Sequence, residues 1–137
     1  MANTPVAAFG QTQKTGNAEA TAASVITTSS PTNTLLIATA GTNGGMLTKL
    51  TAIPRATVTA SALYYFISRD SGTTKYMVDS ELMEAHTVAA TTAIPETVFS
   101  NITEDAPVRL EAGDEVYVSS GVALAGGIVF QAEWTDL

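Results

Sequence analysis

The sequence predicts an all-β protein, an antiparallel β-sandwich of about eight strands. Three observations predict it. Short apolar or alternating runs recur along the chain, with turn residues roughly every ten positions. Thr is as abundant as Ala, at 22 residues each, and Val follows with 11, while good helix formers other than Ala are scarce. The clearest pattern lies in Pro107–Ser119, where Val108 and Leu110 alternate with Arg109 and Glu111. Ala112-Gly113-Asp114 intervenes, and Val116 and Val118 then alternate with Glu115 and Tyr117. Period-two alternation on both sides of a Gly-Asp turn predicts two half-buried strands joined as a hairpin. Gly113 can take the positive φ that such a turn needs, and Asp114 can bond nearby backbone amides.

The elements follow in order. Residues 1–33 are rich in Ala, Thr, Ser, Gly and Asn, with Val6, Phe9, Val25 and Ile26 as the main apolar anchors. They are expected to form an N-terminal arm or a first strand, and residues 34–137 the sandwich domain. Ala18–Thr28 reads as a strand or a short helix, and Ser29–Asn33 as a break. Thr34–Ala40 is a strand ended by the glycines of Gly41–Gly45. Met46–Ile53 follows and is interrupted at Pro54-Arg55. Thr57–Ser68 holds Leu63-Tyr-Tyr-Phe-Ile67, the strongest β run. Arg69–Thr73 is a hairpin turn, and Lys75–Met83 is the returning strand. Thr87–Pro95 has no clear period. Val98, Phe99 and Ile102 mark a short segment before the two strands of Pro107–Ser119. Gly126-Gly127 precedes a last strand ending near Trp134.

The 137 residues suit one domain, and 45% are hydrophobic, though much of that share is Ala. We expect a lightly packed core that self-association can supplement. Six Lys and Arg against 13 Asp and Glu give a net charge of −7. With no basic stripe to neutralise phosphates, nucleic-acid binding and adhesion to an anionic membrane are disfavoured. There is no Cys, so disulfide and thiolate chemistry are excluded. Met1–Pro5 lacks the positive n-region of a secretory signal, and the apolar run Ala62–Ile67 is too short to span a bilayer.

Candidate chemistry is sparse. His86 is the only histidine, and Glu81, Glu84 and Asp79 lie close to it in sequence. On a strand Glu84 and His86 would share a face while Glu81 faced away, which makes a poor metal site. No metal or other cofactor is expected. Most general-base or Ser-nucleophile schemes would need His86 too, and Ser29-Ser30 and Ser119-Ser120 read as turn serines. The acidic pairs Glu104-Asp105 and Asp114-Glu115 fit solvated turns better than a carboxylate cleft. Gly41–Gly45 and Gly126-Gly127 lack the Lys and Ser/Thr of a phosphate loop. Asn101-Ile-Thr103 matches a glycosylation pattern but lacks the secretory context. Tyr64, Tyr65, Tyr117 and Trp134 could line a sugar-binding face, but Tyr64 and Tyr65 point to opposite sides of one strand. Packing is the stronger reading for them, and no enzyme is expected.

The succession of a Gly-Thr-Asn-Gly-Gly turn at Gly41–Gly45, Leu63–Ile67, Leu110-Glu-Ala-Gly-Asp114, Val116-Tyr-Val118 and a Gly-Gly strand ending near Trp134 resembles a known family. It looks like the small virion proteins of tailed bacteriophages, especially capsid decoration or cement proteins with a jelly-roll-like sandwich. The resemblance covers about residues 34–137 and rests on soft motifs. Its Leu-x-x-Gly-Asp-x-Val pattern is also similar to one in trimeric jelly rolls of the tumour-necrosis-factor type. The resemblance implies a structural protein on the outside of a phage head, bound to the major capsid protein. It also implies a homotrimer, made in a bacterial cytoplasm and carried on the virion. Val6, Phe9, Tyr117 and Trp134 are then the candidate contacts with the capsid or with neighbouring subunits. A tail- or fibre-associated virion protein and a carbohydrate-binding module are the alternatives.

Overall fold

The computed structural model describes residues 12–137, which form nine β-strands and no helix. They are β1 (Thr12–Ala20), β2 (Leu35–Thr39), β3 (Gly45–Pro54), β4 (Ser61–Ser68), β5 (Tyr76–Met83), β6 (Thr97–Val98), β7 (Val108–Leu110), β8 (Glu115–Ser120) and β9 (Ile128–Asp136). Two antiparallel sheets pack face to face as a β-sandwich. In the first, β9 lies between β1 and β3, and β6 and β7 both pair with the far side of β3. The second has the order β2-β8-β4-β5. Only the β4–β5 and β6–β7 connections stay within one sheet; every other connection crosses the sandwich.

The alternation of the sequence is spent on the core. Along β9, Ile128, Phe130, Ala132 and Trp134 point inward and are buried, while Gln131 between them is exposed. Leu47 and Leu50 of β3, Leu63 and Tyr65 of β4, and Val116 and Val118 of β8 meet them from the other strands. Burying each such side chain contributes about 1.5–3 kcal/mol. Phe99 and Ile102, in the segment after β6, are also buried, and the Phe99 ring meets Tyr65 edge-on at 5.6 Å. That loop closes one side of the sandwich with apolar weight that the short strand β6 lacks. The core mixes these large side chains with five alanines, Ala20, Ala38, Ala40, Ala52 and Ala132.

The hairpin expected at Pro107–Ser119 is not formed. β7 pairs with Gly45–Leu47 of β3 in one sheet, and β8 pairs with β2 and β4 in the other. The turn between them is a corner that carries the chain across the sandwich. Gly113 takes φ 77°, and the Asp114 N–H donates to the Glu111 carbonyl at 3.0 Å, closing a β-turn. The Gly113 N–H donates to the Gly41 carbonyl, and the Ala40 N–H donates to the Asp114 carbonyl. These bonds dock the corner onto the β2–β3 turn. The same Gly-Asp chemistry thus serves a sheet crossing, because the strand partners, not the turn, decide where each flank pairs.

β1 supplies the first strand. It pairs with β9 along its whole length, from Thr12 opposite Asp136 to Ala20 opposite Ile128. Gly16 sits where β2 passes over it: a Cβ there would run into the Ile37 carbonyl oxygen and lie 3.1 Å from the Trp134 ring. After Ala20 the chain is irregular up to β2, apart from a bridge between Ala23 and Ser120. The Ser24 N–H donates to Ser120 on β8, and the Ser29 carbonyl accepts from the Lys75 N–H just before β5. β4 lies between those two anchors in the sheet order. Phe66, opposite Tyr117 on the outward side of β4, is only 1% exposed although it is outside the core cluster. The Ser/Thr-rich stretch between β1 and β2 crosses this region, so the second sheet is covered on both faces around Phe66.

Candidate interaction surface

β5 is one of the two edge strands of the second sheet, the other being β2. It pairs with β4 on one side, and among the described residues no strand pairs with the other. Edge strands present unused backbone donors and acceptors, and native proteins usually guard them. Here the guard is partial. Tyr76 and Leu82 are 64% and 60% exposed, and Met77 and Val78 between them are exposed as well. A register shift at Tyr65/Phe66 inserts Val78 as a bulge, so apolar side chains emerge on both faces of the strand. The Ser80 N–H donates to the carboxylate of Asp79 at 2.8 Å instead of to a strand.

Acidic groups line the same strand. The Asp79 carboxylate accepts from the Asn101 amide at 3.0 Å, and Glu81 accepts from the Ser100 N–H at 3.3 Å. Asn101, the residue of the glycosylation pattern, is thus tied to β5. A cavity of about 270 Å³ opens at the end of β5, lined by Glu81, Glu84, Glu96 and His86 with Pro54 and Pro95. The expectation that Glu81 faces away from Glu84 and His86 does not hold. The strand stops at Met83, alternation stops with it, and all three residues line one cavity. His86 is held by paired backbone bonds to Val58 at 3.0 Å, and its Nε2 is buried with no hydrogen-bond partner among the described residues. Among the described residues no three His, Cys, Asp or Glu side chains are grouped so as to hold a metal ion. Glu96 carried no signal in the sequence, since it follows the aperiodic stretch Thr87–Pro95 and reaches the cavity only through the fold.

The contact candidates separate. Val6 and Phe9 lie outside the described residues. Tyr117 is partly buried on the outer side of β8; its hydroxyl donates to Glu115 at 3.0 Å, and the Lys75 ammonium sits 4.7 Å from its ring centre. Burial first, and then the bond to Glu115, raise the Tyr117 phenol above its ordinary pKa. Trp134 is 8% exposed and belongs to the core cluster, so most of its ring packs inside the chain, and it lines an open cavity with Lys14 and Glu133. Its indole N–H is buried without a partner among the described residues. Tyr65 is also in the core, where burial and the nearby Asp79 charge push its phenol up to about 12.

The acidic turn pairs are structural. Glu104 and Asp105 sit in an exposed turn between Thr103 and Ala106, whose N–H and carbonyl groups bond to each other. Asp114 is buried; its carboxylate accepts from the Glu111 N–H at 2.9 Å and from the Arg69 guanidinium at 3.3 Å. Comparison with protein-family models, with curated proteins and with solved structures gives no match.

Proposed function

We propose that the chain is a structural virion protein that binds the outer surface of a phage capsid and stabilises it, assembled as a trimer. The observation that carries this reading is β5: four large apolar side chains exposed along one free strand edge. Scattered exposed apolar residues are ordinary, but a contiguous group on an unpaired edge is the signature of an association surface. The acidic balance keeps such a surface soluble at high local concentration. Many copies on a lattice would add avidity to a weak single contact.

Mixing the purified protein with expanded, undecorated phage heads and imaging them by cryo-electron microscopy tests the proposal. Added density at regular lattice positions is expected, and bare heads would overturn it. Density confined to the tail would favour a tail-associated role. Sedimentation equilibrium tests the trimer, which a monomer at all concentrations would rule out.

A further inference from the structure

We infer that the β5 edge is a docking site for an extended, basic segment of a partner protein, which adds to the second sheet as a fifth strand. The inference rests on reading the chain as one that binds a protein surface, and it specifies the chemistry of what is bound.

The backbone of β5 supplies the template. Its outer side meets no strand among the described residues, and an added strand would use its outward N–H and carbonyl groups, taking the Ser80 N–H over from the Asp79 carboxylate. Side chains at the two ends of the strand then select the partner. At the end of β5, Glu81, Glu84 and Glu96 carry three carboxylates around the cavity, beside the apolar walls of Pro54 and Pro95. No Lys or Arg lines that cavity. A Lys or Arg side chain suits it: the aliphatic stem packs on the prolines while the cationic head meets the carboxylates.

The start of β5 has the opposite character. A cavity of about 330 Å³ lies there, lined by Ile67, Tyr76, Val78 and Val108 with Arg69 and Arg109. An apolar side chain fits between these walls, and a cation would be repelled. From Tyr76 to Glu81 β5 includes the bulged Val78, so the regular strand beside it spans the same interval in four residues, Ile67 to Leu63, or roughly 13 Å at the rise of a β-strand. The partner segment therefore carries a large apolar residue at one end and a Lys or Arg about four residues away, an even spacing that puts both side chains on the face toward the two cavities.

A second copy of this chain fits less well. Antiparallel pairing of two β5 strands about Ser80 would set Asp79 opposite Glu81 of the partner subunit, and like charges directly opposite destabilise a strand pair.

The test uses the full chain and two synthetic probes. One is a seven-residue capped peptide of alternating Val and Thr, with Leu near one end and Arg four residues from it, on the same face. Its twin has Glu in place of Arg. Fluorescence anisotropy is expected to show the Arg peptide binding at least ten-fold more tightly than the twin. Ser80→Pro should abolish binding of the Arg peptide while leaving the fold intact by circular dichroism. Proline there removes an N–H that already points away from the β4 ladder. The pair Glu81→Gln and Glu96→Gln should weaken the Arg peptide about ten-fold and strengthen the twin, whose Glu then meets less repulsion. Absence of binding, equal binding of the two peptides, or indifference to Ser80→Pro in a folded variant would each overturn the inference. So would a dimer that Ser80→Pro dissociates, because the edge would then belong to a second copy. Bare phage heads together with tight Arg-peptide binding would refute the capsid reading alone.

Discussion

The Arg69 guanidinium lies 3.3 Å from the Asp114 carboxylate, joining the β4–β5 turn to the corner that leads from one sheet into the other. Asp114 is nearly inaccessible, whereas the Arg69 side chain is more than half exposed. The carboxylate also accepts the Glu111 N–H, so it holds the corner closed from inside. Asp114→Ala is expected to cost about 2–3 kcal/mol, because the charge-assisted bond from the Glu111 N–H to a buried carboxylate, which closes the corner, is lost. Arg69→Ala is expected to cost less than about 1 kcal/mol, since its side of the pair is solvated. Urea unfolding of both variants measures the two costs, and equal losses would contradict the assignment of Asp114 as the element that closes the corner.

Two glycines should respond differently to the same change. Gly113 has φ 77° but open space around it, so Gly113→Ala meets only backbone strain, about 1 kcal/mol. Gly16 has no unusual φ, yet a Cβ there collides with the Ile37 carbonyl, which belongs to the backbone and cannot swing aside. Gly16→Ala is expected to cost more than about 2 kcal/mol and to loosen the contact of β1 with β2. Thermal unfolding of the two variants ranks them.

Asp136 makes stability depend on acid pH. Burial alone would raise its carboxyl, but the bonds from Lys14 and from the Gly41 N–H, with the Lys14 charge, more than offset this and hold it below the usual carboxylate range. A carboxyl lowered in the folded state adds stability above its unfolded value, about 3.9, and loses it as pH falls through the folded value. Lys14→Met should cost less than about 1 kcal/mol near neutrality, because the Lys14 side chain is about half exposed. The gap between wild type and variant should close as pH falls below about 3.9. Urea titrations at neutral and acid pH check this; a gap that stays constant would mean that Lys14 acts through packing.

Phe66 and Ser119 both point outward in the second sheet and both are buried. Phe66→Ala is expected to cost about 3–5 kcal/mol, as for a core aromatic, and to speed amide hydrogen exchange between β1 and β2. The Ser119 hydroxyl has no hydrogen-bond partner among the described residues, so Ser119→Ala should be neutral or slightly stabilising. If Phe66→Ala proved as mild as a surface substitution, the stretch between β1 and β2 would not cover the sheet.

Much of the fold was legible because alternation reports burial directly. Leu63–Ile67, Val116–Val118 and Ile128–Trp134 all became strands, and Arg69–Thr73 became the turn of the β4–β5 hairpin. The pairing of Leu110 with Gly45 was not legible. A Gly-Asp turn satisfies its own backbone whether the chain doubles back or crosses to another sheet, so only long-range register distinguishes the two outcomes. Trp134 was ambiguous for a related reason: an aromatic ring between Glu133 and Thr135 has the period of a half-buried strand, and period does not say which face is the core. The candidate surface was hidden because an edge is a property of sheet order, which no residue of Tyr76–Met83 encodes alone.

The position of β9 has a consequence for synthesis on the ribosome. It is the last of the nine strands to be made, yet it lies between β1 and β3. Until residues 128–136 leave the exit tunnel, β1 and β3 have no partner in that gap and expose their ladders side by side. The second sheet can pair as soon as β8 emerges, but the first must wait for β9. The nascent chain is therefore half a sandwich with an open slot, and β9 acts as a bolt that slides home only after the eight strands before it have emerged.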